Sequence, residues 1–167
     1  EIHGLRNETF PYFLINKVDF KPHAEIFIQL LKELNYKLVL ASLTTRETIE
    51  LYTTQNKNIC SKCSIRDSFD LILLKEDVKE KKPNPEIYLK VLLKLGVKPE
   101  ECIIIEDSLS GIQAAKRAGI QVINIYDKYS DCDREEINNL TDYSVDGYQD
   151  LIIELQKKHE IATRKLC

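Results

Sequence analysis

The run Cys102-Ile103-Ile104-Ile105-Glu106-Asp107-Ser108-Leu109-Ser110-Gly111 ends an apolar strand on two adjacent carboxylates, at the point where a helix begins. In an open α/β sheet, ligands bind in the crevice beyond the carboxyl ends of the strands. Glu106 and Asp107 are therefore candidate ligands for a hard cation such as Mg²⁺, which takes one or two protein carboxylates and fills its shell with water and substrate phosphate. The competing reading is local: a helix-capping Asp or Ser beside a solvated Glu.

The rest of the chain alternates between helix and strand periods, which makes a parallel sheet the default. Phe27, Leu30, Leu31 and Leu34 share one helix face ahead of a strand over Lys37 to Ala41. A helix follows from about Thr45, then a strand over Phe69 to Leu74. Ile87, Val91, Leu92 and Leu95 form the stripe of a helix that Gly96 ends. Beyond the acids, a helix from Leu109 to Ala118 uses Gly111 and its alanines to pack closely on the sheet, with Gly119 as its C-terminal cap. Ile120 to Ile125 reads as the next strand, 126–139 as a polar loop with a short helix, and Leu151 to Leu155 as the start of the last helix.

Two more strand-end features suit phosphate chemistry. Lys37 to Thr45 is a β-rich run ending in hydroxyl residues. Thr44 with Glu47 fits a capping box, which gives Thr44 a structural task and leaves Ser42 without one. The Ser42 hydroxyl, one donor with two acceptor lone pairs, suits a phosphate oxygen at the strand tip, although turn chemistry is the ordinary use of a serine there. In Lys81-Lys82-Pro83-Asn84-Pro85-Glu86, Asn84 suits N-cap, Pro85 the first helical position, and Glu86 the positive end of the helix dipole. Pro83 disfavours helix at Lys82 and holds it extended, so its ammonium projects from a stiff base. A solvated charge run between Lys75 and Lys82 is the alternative, and it accounts for Lys79 and Lys81.

At 167 residues, 43% apolar and 31% charged, the chain suits a globular core with a sizeable hydrophobic centre. A net charge of −3 without a basic patch argues against nucleic acid as a partner. No segment is long or apolar enough to span a membrane and no signal peptide is visible, so a cytoplasmic location is expected. Cys60-Ser-Lys-Cys63 is a C-x-x-C, but it lies in a loop before a strand rather than opening a helix after one. A structural zinc would need two further ligands, and Cys132, Cys167 and His159 are scattered, so unpaired thiols are expected. Cys102 reads as a small apolar residue in a buried strand. His3, His23 and His159 form no cluster and are assigned no chemistry.

Hydroxyl, lysine and acid pair, in that order on an alternating α/β chain, resemble the haloacid dehalogenase (HAD) superfamily, and within it the β-phosphoglucomutase-like phosphatases and phosphomutases. Ser42 stands at the second motif, Lys82 in Lys-Pro-x-Pro-Glu-Ile-Tyr at the third, and Glu106-Asp107-Ser108 at the fourth; the stretch from Asp107 to Gly119 is specific to that group. The resemblance covers about Lys21 to Ile125 and implies a doubly wound, Rossmann-like parallel sheet. It implies that Asp107 ligates Mg²⁺, that Glu106 supports the metal site, and that Ser42 and Lys82 bind the transferring phosphoryl group of a small phosphorylated metabolite. His23 falls where the family often has glycine at a helix start. Residues 1–20 resemble the end of the family's inserted helical cap, and 21–167 its core domain.

The family's first strand ends in Asp-x-Asp, whose first Asp attacks phosphorus and whose second acts as general acid and base. No such motif precedes Ser42; Asp19, followed two residues later by Lys21, does not fit it. The chain begins at Glu1 and has no methionine, where about 2% usage would give several. The expectation is a piece of a longer protein, or a sequence from which modified methionines have dropped out. In the family the missing strand is central, between those ending at Ser42 and Asp107. With roughly five to six residues it would make on the order of 5 to 10 ladder hydrogen bonds of about 1 kcal/mol each. That rivals a domain's net stability of about 5 to 15 kcal/mol, so a naked gap is not expected. Either a missing N-terminal segment supplies the strand, or the sheet closes up, or a strand-sharing partner fills it. Phe10 to Val18 is apolar enough to be weighed as a stand-in, though Pro11 and Asn16 interrupt it.

Three functions follow. The first is a HAD-type phosphohydrolase or mutase whose nucleophile lies outside this chain, leaving the chain alone inactive. The second is a non-catalytic remnant serving as an interaction module. The third, a phosphoacceptor receiver domain, is disfavoured because its acid pair sits on the first strand and its lysine comes late.

Overall fold

The computed structural model describes residues 10–164, and the chain is α/β with parallel strands. It divides into two compact units, one ending at Asp77 and the other starting at Val78.

The first unit carries a helix α1 over 10–16, α2 (Ala24–Glu33), β1 (Val39–Ala41), α3 (Arg46–Thr54), the short helices α4 (Lys57–Cys60) and α5 (Ile65–Ser68), and β2 (Leu71–Leu73). Phe10 to Val18 is thus no stand-in strand: residues 10–16 are helical, with the Asn16 carboxamide donating to the Tyr12 carbonyl one turn back (2.8 Å). Asn56 ties this leading segment down. Fully buried, it caps α4 by accepting from the Ile59 amide and donates to the Leu14 and Val18 carbonyls (2.6 and 2.9 Å). The described part of the expected cap remnant therefore packs within this unit. His23 enters α2 with φ 65°, the left-handed region that favours glycine.

β1 and β2 run parallel with Val39 opposite Leu71, and the Ser42 amide extends the ladder by donating to the Leu73 carbonyl (2.9 Å). Both strands are shorter than their apolar runs because Asp70 takes over at their entry. Its carboxylate accepts from the Leu38 amide (2.9 Å) and from Lys37 Nζ (3.0 Å), while its own amide donates to the Leu38 carbonyl (2.8 Å).

The second unit holds α6 (Glu86–Leu95), β3 (Ile103–Glu106), α7 (Leu109–Arg117), β4 (Gln121–Ile125), a 3-10 segment over Lys128–Asp133, α8 (Arg134–Leu140), β5 (Tyr143–Val145) and α9 (Tyr148–Arg164). β4 lies between β3 and β5 in a parallel sheet. Ile112, Ala114 and Ala115 of α7, Val122 of β4 and Ile137 of α8 are fully buried and form its core. Gly96 ends α6 at φ 66°, as its position after the apolar stripe implies. Cys102 lies just ahead of β3 and is half-buried rather than enclosed in a strand.

Two differences from the sequence reading have local causes. β5 went unforeseen because Tyr143 and Ser144 are exposed and only three residues pair, too few to show a period. The last helix starts earlier than Leu151, since the Asp150 carboxylate reaches back to the Asp146 and Gly147 amides (3.1 and 3.2 Å). Among the described residues, β1 has only β2 beside it and β3 has only β4, so each keeps one edge without a strand. No described helix is long and apolar enough to cross a membrane.

Asp142 repeats in the second unit what Asp70 does in the first. It accepts from the Val122 amide (2.8 Å) and from Lys116 Nζ (3.1 Å), and its own amide donates to the Val122 carbonyl (3.1 Å). The backbone amide first, then the lysine, lowers each carboxyl below its ordinary value. A carboxyl lowered by folding stabilises the native state above its unfolded pKa, and that contribution is lost as pH falls through the folded value. Thermal melts followed by circular dichroism should fall below pH 4, and Asp70→Asn or Asp142→Asn should flatten that decline.

Candidate functional site

In the second unit the Glu106 carboxylate gathers the site around itself. Oε1 accepts from Lys82 Nζ in an ion pair and from Tyr88 Oη (3.0 Å). Oε2 accepts from the Asp107 amide (3.1 Å), the Ser108 amide (3.3 Å) and Ser108 Oγ (3.1 Å). Each step has a sequence cause. β3 ends at Glu106, and Ser108 caps α7 by accepting from the Gly111 amide (3.2 Å) while its own proton goes to Glu106. Gly111 is required by contact, since a Cβ there would stand 2.1 Å from the Glu106 carboxyl carbon.

Lys82 reaches the carboxylate from the loop before α6, across a cis Lys82–Pro83 peptide. The Pro83 carbonyl accepts from Arg117 Nη1 of α7 (2.8 Å). The helix begins one residue later than expected, at Glu86 with Pro85 rather than Asn84 as N-cap, and the Asn84 side chain, one residue outside the cap, accepts from the Glu86 amide (3.0 Å). Glu86 does more than complement the dipole. It accepts from the Lys79 and Glu80 amides and pairs with Lys90 (2.7 Å), and the Lys90 hydrogen bond first, then those amides, hold its carboxyl at about 2.

The Lys82 and Glu106 side chains are only 8% and 11% exposed. Burial pushes the Glu106 carboxyl up, but the Lys82 charge and the Lys82, Tyr88 and Ser108 hydrogen bonds outweigh it, leaving the carboxyl below its ordinary value. The acid is therefore ionised at neutral pH although it is buried. The Asp107 carbonyl accepts from Ser130 Oγ (2.8 Å), which pins the turn bearing the second acid.

Of the four residues singled out in the sequence, Lys82, Glu106 and Asp107 are brought together in one unit. Ser42 belongs to the first unit and does have a structural task there. Its Oγ accepts from the Thr44 amide (3.1 Å) and donates to Thr44 Oγ1 (2.9 Å). In place of the expected Thr44–Glu47 capping box, a single cap stands one residue on. Thr45 is the N-cap and accepts from the Thr48 amide, while Glu76 takes the Arg46 amide (3.1 Å) and so satisfies the first turn from outside. Tyr88 and Ser130 were not foreseen. A tyrosine inside the aliphatic stripe of α6 was the available signal, because a buried Tyr hydroxyl needs a partner. Ser130, in a polar loop, gave none.

Cys60 is exposed and donates to the Tyr52 carbonyl (3.4 Å), Cys63 lies beside Ser68 Oγ (3.2 Å), and both are free thiols. Cys167 and His3 lie outside the described residues. Among the described residues, no group of three or more His, Cys, Asp or Glu side chains stands together as a metal site.

Residues 7–125, which include Ser42, Lys82, Glu106 and Asp107, match the family described as Haloacid dehalogenase-like hydrolase. The chain belongs to that family. YhcW of Bacillus subtilis is 34% identical to it over 128 residues, covering 77% of this chain and 54% of that protein. The Phosphorylated carbohydrates phosphatase of Thermotoga maritima is 39% identical over 97 residues, covering 58% of this chain and 41% of the relative. Among solved structures, CbbY from Rhodobacter sphaeroides in complex with phosphate superimposes with a TM-score of 0.73 at 30% identity, over 90% of this chain and 64% of that one. The chain spans about half the length of the curated relatives it matches.

In this haloacid dehalogenase-like chain, the contact between Gly111 and Glu106 makes a direct prediction. Gly111→Ala should displace the carboxylate and cost about 1–3 kcal/mol, the usual range for overpacking, as read from urea unfolding.

Proposed function

We propose that this chain is the phosphate-handling part of a Mg²⁺-dependent phosphohydrolase or phosphomutase acting on a small phosphorylated metabolite. The observation that carries the reading is the buried Lys82–Glu106 pair beside Asp107 at the carboxyl end of β3, where an open α/β sheet places its ligands. The names of two relatives agree in chemistry, one being a phosphorylated carbohydrates phosphatase and the other a protein crystallised with phosphate.

The charge balance explains why a metal is needed. Lys82 and Glu106 cancel, so these three residues leave one negative charge, on Asp107, in the path of a phosphoryl dianion. Mg²⁺, when bound, offsets that repulsion and neutralises charge on the phosphoryl oxygens. The donors present fit such an ion, which needs only one or two carboxylates. Asp107 supplies one, and Glu106, whose two oxygens already meet five donors, supports the site by fixing the turn. Lys82 holds the phosphoryl group against the attacking group. These residues bind and orient but do not attack; an Asp-x-Asp outside this sequence performs that step.

A mass-verified preparation of the 167 residues should show negligible turnover of p-nitrophenyl phosphate with Mg²⁺, and robust turnover would refute the assignment of the nucleophile. A longer reading frame that adds a strand ending in Asp-x-Asp should turn over, stop on chelation of Mg²⁺, and lose at least about 10²-fold in kcat with Lys82→Ala or Asp107→Ala. A kcat unchanged in both variants would sink the proposal.

A second reading rests on the strand edges of β1 and β3 that carry no described partner. In it the chain is an interaction module that takes a strand from another chain. Size-exclusion chromatography with mass detection separates the two, because a monomer speaks against strand sharing.

A further inference from the structure

Tyr88 meets both members of the buried pair at once. Its ring lies beneath the Lys82 ammonium, 4.9 Å from Nζ to centroid, and its hydroxyl donates to the same Glu106 oxygen that Lys82 engages (3.0 Å). The side chain is 4% exposed and stands in the first turn of α6, six residues after Lys82. An aliphatic residue would keep this core position apolar, at the cost of some volume, but neither the ring face nor the hydroxyl would remain.

We propose that Tyr88 is a positioning residue for Lys82, setting both where the ammonium sits and how tightly Glu106 holds it. This rests on the reading of Lys82 as the phosphoryl-binding lysine. The ring face attracts the ammonium electrostatically and restricts a long side chain that has many rotamers, an attraction that grows when water is excluded. The hydroxyl acts on the other partner. By occupying part of Oε1 it shares the carboxylate's acceptor capacity, so that Lys82 is held less tightly than a bare carboxylate would hold it. Phenylalanine would supply the first effect without the second, and leucine neither.

The test uses the 167-residue chain, with nuclear magnetic resonance of the Lys82 ε-methylene protons and ammonium nitrogen, titration with inorganic phosphate, and a thermal melt as the check on folding. In the wild type the ε-protons should be shifted upfield by the ring beneath them. Tyr88→Phe should keep that shift, move the ammonium nitrogen signal, and weaken phosphate binding by about tenfold or more, the scale of a hydrogen bond to a charged group. Tyr88→Leu should lose the upfield shift and bind phosphate more weakly than the phenylalanine variant. A folded Tyr88→Leu chain with the wild-type Lys82 shift overturns the proposal. So does a Tyr88→Phe chain whose nitrogen signal does not move, which decides the matter if the leucine variant fails to fold. If the wild type does not bind phosphate, the phosphate reading of the site falls, and the Lys82 signals in the two variants still decide whether Tyr88 positions it.

Discussion

A carboxylate enclosed in protein must be met by donors or it will not stay ionised, and Glu106 meets this demand with five of them. They come from three places in the chain: the loop before α6, the first turn of α6, and the turn that opens α7. One acid therefore ties Lys82 to the end of β3. A buried ion pair contributes little net stability against a well-packed apolar alternative, because desolvation offsets most of its attraction. What this pair fixes is position. Gly111 shows how closely the arrangement is drawn, since the carboxylate occupies the space that a methyl group would fill.

The same economy recurs away from the site. Asp70 and Asp142 each stand one residue ahead of a strand and accept the amide at the entry of the neighbouring parallel strand, with a lysine as the second donor. Each also donates its own amide to the carbonyl of the residue whose amide it accepts. A strand's entry exposes backbone groups that the ladder leaves unpaired. A carboxylate with an adjacent amide satisfies both kinds at one point and sets the register of short strands whose few ladder bonds would hold it weakly. β1 and β2, three residues each, illustrate the need.

Much of this was legible in the sequence wherever a period or a residue with few structural uses marked the place. The helix faces, the strand before Glu106, the Gly96 terminus and the grouping of Lys82 with the acids follow from the apolar spacing and from charge at a strand end. Precision failed where two neighbouring residues could do the same job. Thr44 and Thr45 both suit a cap, and the choice fell to Thr45 because Glu76, thirty residues on in sequence from Arg46, supplies the first-turn acceptor. Ser42 looked spare only because its partner, the Thr44 amide, is set by a turn that the sequence does not reveal. Tyr88 entered the sequence reading only as the end of the Lys-Pro-x-Pro-Glu-Ile-Tyr match; it is buried, and that its hydroxyl and ring face are both engaged is a property of the folded chain alone.

The register of the second sheet shows how its polar end is made. After an entry row of Ile103 with Gln121, Ile104 pairs with Val122 and Ile105 with Ile123, so the two middle rows of this strand pair are aliphatic. Glu106 then stands in one row with Asn124 and Ser144, three polar residues on three strands, at the last position that β3 contributes. Asn124 is 1% exposed, and its Oδ1 has no hydrogen-bond partner among the described residues. A buried carbonyl oxygen left unpaired costs about 1–3 kcal/mol, which a valine at that point of β4 would not incur. The sheet thus carries polarity past the surface and into its own interior at the end where the lysine and the acids are gathered. Packing alone would favour an aliphatic side chain at Asn124 as at Val122 two residues before it, so this position of β4 departs from the packing rule in the row where β3 ends on Glu106.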